Sequence, residues 1–200
     1  MTQNNVKPVV SKSKWISSVR EFRSTRVVVF CGMMCALAIV LNYTSTIRIG
    51  DYIRIGFSGI PNRVVDYLFG PFVGAVFGGA LDIIKYFLTP TGGFFPGFTL
   101  TAMLGGVIHG YILYRRRPTL ARVFAAQLLV KVLLNCGLNT LWLQMLYGQG
   151  FMAILPGRIV SNAVMLPVDT LLYYIILQAV DRYIRPRFLE DCVSVIFLIT

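Results

Sequence analysis

Five cations stand where apolar runs begin or end: Arg48, Arg54, Arg63, Lys85 and Arg158. Arginine presents a planar fork of donors that matches a carboxylate, and lysine a compact point charge. Gathered at one mouth, such groups would receive an anionic ligand. Arg48 and Arg54 flank Asp51, in a stretch where Ile47, Ile49, Tyr52, Ile53, Ile55 and Phe57 come close to strict alternation. That pattern suits a short hairpin capping the mouth. The same cations could instead snorkel to lipid phosphates, so residue type alone leaves both readings open.

A second polar set lies deeper in the sequence pattern. Lys131, Asn135 and Asn139 are spaced four apart on one helix face, and Trp142 follows three residues on. Polar groups in a bilayer turn inward and find partners. Asp82 and Asp169 fall at similar depth, about 16 Å from the inner helix ends, so either could neutralise Lys131. These three charges read best as a structural ion pair, and Asn139, nearer the outside, as a ligand contact. The run Gly92-Gly-Phe-Phe-Pro-Gly-Phe-Thr99 supplies a third signal. Its glycines free the backbone. Phe94, Phe95 and Phe98, with Pro96 and Gly97 between them, could stack on a flat heteroaromatic ring or form an interfacial aromatic belt. Gly32 and Ala36, like Cys31 and Cys35, repeat at a spacing that lets a second helix approach closely, within this chain or from another subunit.

These residues must be positioned by apolar helices. Hydrophobic residues make up 56% of the 200 and charged residues 14%, where a soluble domain carries about 25% charged residues. Mean hydropathy is +0.70. Six spans are expected, at residues 27–47, 57–69, 72–88, 98–114, 123–147 and 159–180, with a break at Gly70-Pro71 and loops at 89–93 and 148–156. A bilayer forces each segment to satisfy its own backbone hydrogen bonds, so the predicted class is all-α integral membrane, a six-helix bundle. The chain divides into a basic arm (1–26), the membrane domain (27–181) and a tail (182–200).

Most of the 19 Lys and Arg residues precede the first span, join the fourth to the fifth, or follow the sixth. The positive-inside rule therefore places both termini in the cytoplasm of a cell bounded by a plasma membrane. Trp15, Ile16, Val19 and Phe22 recur at helical spacing among Lys14, Arg20 and Arg23, which predicts an amphipathic helix on the inner surface. The net charge of +11 punctuates apolar spans and forms no aromatic-interleaved stripe, so nucleic acid is not an expected partner. No phosphate-binding GxxxxGK[ST] sequence and no HExxH occur. The only histidine, His109, reads as a packing residue, and the cysteines as small apolar residues. An enzyme, a cofactor and a metal site are not expected.

The run IRIGFSGIPNRVVDYLFGPFVGAVFGGALDIIKYF, then TPTGGFFPGFTLTAMLGG, LLNCGLNTLWL and LPGRIVSNAVMLPVDTLLY, taken in this order, resembles the folate-specific substrate-binding subunits of energy-coupling-factor (ECF) transporters. The resemblance implies a subunit that binds folate from outside and docks on a transmembrane coupling subunit carrying two ATP-binding cassette ATPases, which would supply the ATP hydrolysis. It implies that Gly32 and Ala36 face that coupling subunit, although glycine stands where the family has alanine at the first position. Under this reading the cationic mouth takes the carboxylates of folate and the phenylalanine loop covers a ring. Asn139, Asn162 and Asp66 read the edge of the pterin. A subunit of the same architecture for thiamine, a flavin or another vitamin, and a non-catalytic membrane scaffold, are the alternatives.

Overall fold

The computed structural model describes residues 15, 18, 19, 24–44, 57–88, 95–146 and 155–183 with their side chains, and 46–49, 53–56, 147 and 151–154 by backbone. Helix α1, Thr25–Thr44, has 20 residues, about 30 Å of rise and enough to cross a hydrocarbon core. It ends earlier than Ile47. The alternating β-branched residues beyond it pair as strands β1 (Thr46–Ile49) and β2 (Ile53–Gly56), antiparallel, with Arg48 opposite Arg54. The hairpin read from the alternation is therefore present, and it costs the helix its last turn.

A single 3-10 turn, Phe57–Gly59, leads into α2, Ile60–Leu88. Together they cover 32 residues, about 48 Å if straight. They are not straight. Gly70 has φ 86° and ψ −171°, and Pro71 follows. Proline has no N–H to continue the ladder, and the positive φ is open to glycine at little cost. The Asp66 carboxylate fills the space that a Cβ on Gly74 would need, whereas residues eight apart in an unbroken helix stand about 12 Å apart. The two limbs of α2 thus turn back on each other at Gly70.

Helix α3, Pro96–Leu113, starts with proline in its first turn, where a missing N–H costs nothing. It packs on the second limb of α2 through glycine. A Cβ on Gly106 would overlap the Gly74 carbonyl; one on Gly78 would lie 2.9 Å from the Ala102 carbonyl oxygen, and one on Gly110 would lie 2.6 Å from Pro71 Cα. The next rod runs as α4 (Leu120–Leu129), a π-helical segment (Val130–Leu138) and α5 (Asn139–Tyr147). Helix α6 covers Phe151–Tyr183 and carries Pro156 and Pro167 inside it. Pro156, expected to mark a loop, lies near the start of this helix instead.

Two buried clusters hold the bundle. Val64, Tyr67, Leu113, Val123, Tyr173 and Leu177 form one, and Val27, Val65, Phe69, Val73, Phe77 and Leu81 the other. Outside, Val164, Val168, Leu171 and Ile175 are exposed at helical spacing along α6, as are Val29, Met33, Leu37 and Val40 on α1. In water such stripes would be a liability; against lipid tails they are the expected coat. Five helical stretches are long and apolar enough to span a membrane, with 57–88 as one of them. Of the amphipathic arm, Trp15, Ser18 and Val19 are described and helical, with Trp15 and Val19 exposed and Ser18 fully buried. Ile16, Phe22 and the apolar residues 192–200 lie outside the described residues.

Candidate functional site

Three polar layers are stacked inside the bundle. The innermost surrounds Arg63 on the first limb of α2. Its Nη1 donates to Asp66 Oδ2 at 2.8 Å, within one helical turn, and also stands 2.8 Å from His109 Nδ1 on α3. The Tyr173 hydroxyl of α6 hydrogen-bonds to the same guanidinium. The same Nδ1 also stands 2.9 Å from the Gly105 carbonyl oxygen, so the ring accepts from Arg63 in one neutral tautomer and donates to Gly105 in the other. His109 is 1% exposed and is a polar partner of Arg63, which corrects its reading as packing. Gly105 lies one turn before His109, and a Cβ there would stand in ordinary contact with Arg63 Nη2 at 4.0 Å. Asp66 is fully buried and directs one oxygen at Arg63.

Above this layer, Lys131 Nζ pairs with Asp169 Oδ2 at 2.7 Å. Asp82, the other candidate partner, instead accepts a hydrogen bond from Thr99 at 2.8 Å. The choice is one of angular position on the helices, which depth alone could not distinguish.

The third layer is an amide ladder. Asn139 Nδ2 donates to Asn135 Oδ1 at 3.2 Å, and Asn135 Nδ2 donates to Asn162 Oδ1 at 3.3 Å. Asn162 Nδ2 donates to the Arg158 carbonyl one turn back in α6, at 2.9 Å. Arg158 Nη1 reaches across to the backbone carbonyl of Asn135 at 3.1 Å. Asn135 sits in the π-helical segment, where i→i+5 bonding widens the turn; such segments are frequent at functional sites. The Asn139 Oδ1 atom is buried with no partner among the described residues, an acceptor open to a donor. Arg63 and Lys131 each have a carboxylate; Arg158 has none among the described residues.

An aromatic wall stands at the start of α3. Phe95 packs on Trp142 with ring centroids 5.4 Å apart and on Phe98 at 6.1 Å. A Cβ on Gly97 would strike both Phe95 and Trp142, so glycine is what lets these rings meet. Trp142 Nε1 donates to Thr101 Oγ1 at 3.1 Å. Thus Asn139, Arg158 and Asn162 are brought together through Asn135, and Phe95, Pro96, Gly97 and Phe98 gather at the start of α3. Lys85 is half-buried elsewhere, its charge facing Asp82 and Cys35. Arg48 and Arg54 are register partners in the hairpin, and Phe94 lies outside the described residues. Gly32 and Ala36 face outward from α1, with no atom within 4 Å of where a Gly32 Cβ would stand.

Sequence reasoning missed Asn135 as the hub of the ladder, and it missed His109 and Tyr173. The four-residue spacing from Lys131 was the only available sign of the first. The other two find Arg63 across 46 and 110 residues of chain, which no local pattern records. The assembled groups are amides, a guanidinium with no carboxylate partner among the described residues, and aromatic faces. They suit recognition of a flat, hydrogen-bonding, anionic molecule and offer no activated nucleophile.

Known proteins of similar sequence and shape bear on this arrangement. The chain is 34% identical over 160 residues to the folate transporter FolT of Clostridium novyi (strain NT), covering 80% of this chain and 92% of that protein. It is 30% identical over 161 residues to the folate transporter FolT of Leuconostoc mesenteroides subsp. mesenteroides, covering 77% and 85%. The crystal structure of FolT bound with folic acid superposes with a TM-score of 0.68 at 32% identity, covering 76% of this chain and 92% of that one. The family model described as ECF transporter, substrate-specific component, matches residues 26–177. The chain belongs to this family of membrane transport components.

Proposed function

We propose that this chain captures folate at the outer face of the membrane and delivers it inward once docked on an ATP-driven coupling module. The observation that carries the reading is Arg158, a half-buried guanidinium with no carboxylate among the described residues, beside an amide ladder and beneath an aromatic wall. Folate brings the complementary parts: two carboxylates, a flat ring and an edge of alternating donors and acceptors. A charge-assisted arginine–carboxylate bond contributes about 1.5–3 kcal/mol where one partner waits desolvated. Both FolT relatives and the solved structure of FolT bound with folic acid support the same ligand.

In this reading the limbs of α2 each cross the membrane, giving six crossings with both termini cytoplasmic. The hairpin bearing Arg48 and Arg54 then lies outside with Phe95 and Phe98. Asn139 and Asn162, expected from the sequence at the pterin, stand with Arg158 around Asn135 and so serve the same end of the ligand as that arginine. Arg63, held by Asp66, serves beneath them, and Lys85 contributes positive potential at the mouth. Gly32 and Ala36 offer a smooth strip to the transmembrane coupling subunit, which carries two ATP-binding cassette ATPases.

Calorimetry on the detergent-purified chain tests this, with thiamine and riboflavin as controls. Tight one-to-one folate binding without ATP is expected. Arg158→Ala is expected to weaken folate about 10- to 100-fold and to weaken pteroate, which lacks the glutamate, much less. Equal losses for both ligands would remove Arg158 from the glutamate end. Tight binding of a control vitamin would keep the architecture and overturn the ligand.

A further inference from the structure

The break in α2 leaves a helix start without a cap. Counting from Gly70 as the residue before the first turn, Pro71, Phe72 and Val73 occupy the first three helical positions. A capping side chain ordinarily sits at the preceding residue and accepts the third N–H. Glycine has no side chain to do so, and the positive φ at Gly70 suits no other residue as well. An uncapped start buried within the protein would leave N–H groups unpaired, which is costly.

The cap arrives from elsewhere in the chain. Ser18 Oγ accepts the Val73 N–H at 3.2 Å and donates to the Phe69 carbonyl at 2.5 Å. One hydroxyl therefore ties the last carbonyl of the first limb to the first amides of the second. The fit around it is close. A Cβ on Gly70 would lie 3.2 Å from both Ser18 Cβ and Oγ, and 3.1 Å from Tyr114 Cγ. Ser18 and Tyr114 are 0% and 1% exposed. Next to this point the Tyr67 hydroxyl bonds to Asp181 near the end of α6. Of the described residues beside Ser18, Trp15 and Val19 are 41% and 40% exposed, and Lys14, Arg20 and Arg23 flank them in the sequence.

We propose that the N-terminal arm is a strap that closes the Gly70 break, with Ser18 acting as the N-cap of the second limb of α2 from a distant part of the chain. The strap holds the inner end of the limb that carries Arg63 and Asp66, so release of Ser18 frees that limb to tilt at its glycine. The proposal does not depend on the identity of the ligand.

Hydrogen exchange on the full-length chain in detergent tests it, read by mass spectrometry on peptides containing Phe72 and Val73. Ser18→Ala is expected to speed their exchange about fivefold, the loss of one cap, while peptides from α3 keep their rates. Ser18→Thr, which retains the hydroxyl, is expected to stay near the native rate. Deletion of residues 1–23 provides a second route and is expected to reproduce the Ser18→Ala pattern. Native exchange at Phe72 and Val73 in the alanine variant, or in the truncated chain, would overturn the strap. Threonine exchanging as fast as alanine would overturn the hydroxyl cap, leaving only a requirement for a small side chain.

Discussion

Lys131 and Asp169 meet across the bundle at 2.7 Å, the lysine 8% and the aspartate 28% exposed. An ion pair at that depth compensates two desolvated charges and adds little beyond that. Removing one partner should therefore hurt more than removing both. Asp169→Asn is expected to cost about 3–5 kcal/mol by stranding the ammonium, seen as a clear fall in melting temperature in detergent. The double replacement Lys131→Met with Asp169→Leu is expected to recover most of that fall. A double variant no better than the single one would mean that the pair contributes in some way other than mutual neutralisation.

Asn139 keeps a buried oxygen beside the amide ladder that has no partner among the described residues. If that oxygen receives an N–H of the ligand, Asn139→Ala should reduce folate affinity about 5- to 100-fold, the range for losing a hydrogen bond from a desolvated site. The melting temperature of the empty protein should move little, because only the bond to Asn135 is lost. Calorimetry and thermal unfolding on the same preparation separate the two effects.

The chain has two tryptophans, Trp15 in the arm and Trp142 against Phe95. Ligand entering beside the aromatic wall should quench only the second. Trp15→Phe should preserve the folate-induced fluorescence change, and Trp142→Phe should abolish it. The reverse pattern would move the binding site away from the start of α3.

Gly106 and Gly32 make a matched contrast. A methyl group at Gly106 runs into the Gly74 carbonyl, while one at Gly32 meets nothing within 4 Å. Gly106→Ala is expected to destabilise by about 1–3 kcal/mol, and Gly32→Ala to leave the melting temperature unchanged. A bulkier Gly32→Leu should still leave the isolated subunit stable, yet weaken its co-purification with a coupling module.

Much of the architecture is legible in the residues. Gly70-Pro71 announces the break, Pro96 the start of α3, and the isoleucines between Ile47 and Ile55 the hairpin. The helix limits near Thr44 and Phe151 were misplaced, because strand pairing shortened one and helix tolerated Pro156 in the other. The π-helical segment has no sequence signature: its residues are ordinary helix formers, and the shift in hydrogen bonding is paid for by contacts such as Arg158 on the Asn135 carbonyl. Ser18 was illegible for a related reason. Its partners are main-chain groups 51 and 55 residues away, and backbone atoms leave no residue type to read.

Glycine contact between α2 and α3 has a consequence for movement. Where the Gly74 and Gly106 backbones touch, and again at Gly78 with Ala102 and Gly110 with Pro71, no side chain stands between the helices to swing aside. Two rods in backbone contact slide poorly, since every small displacement meets atoms that have no alternative rotamer. They therefore travel as one beam. The other seam is built differently: the π-helical segment and α6 meet there through the Asn135 and Asn162 amides and the Arg158 guanidinium, side-chain contacts that can be exchanged one for another.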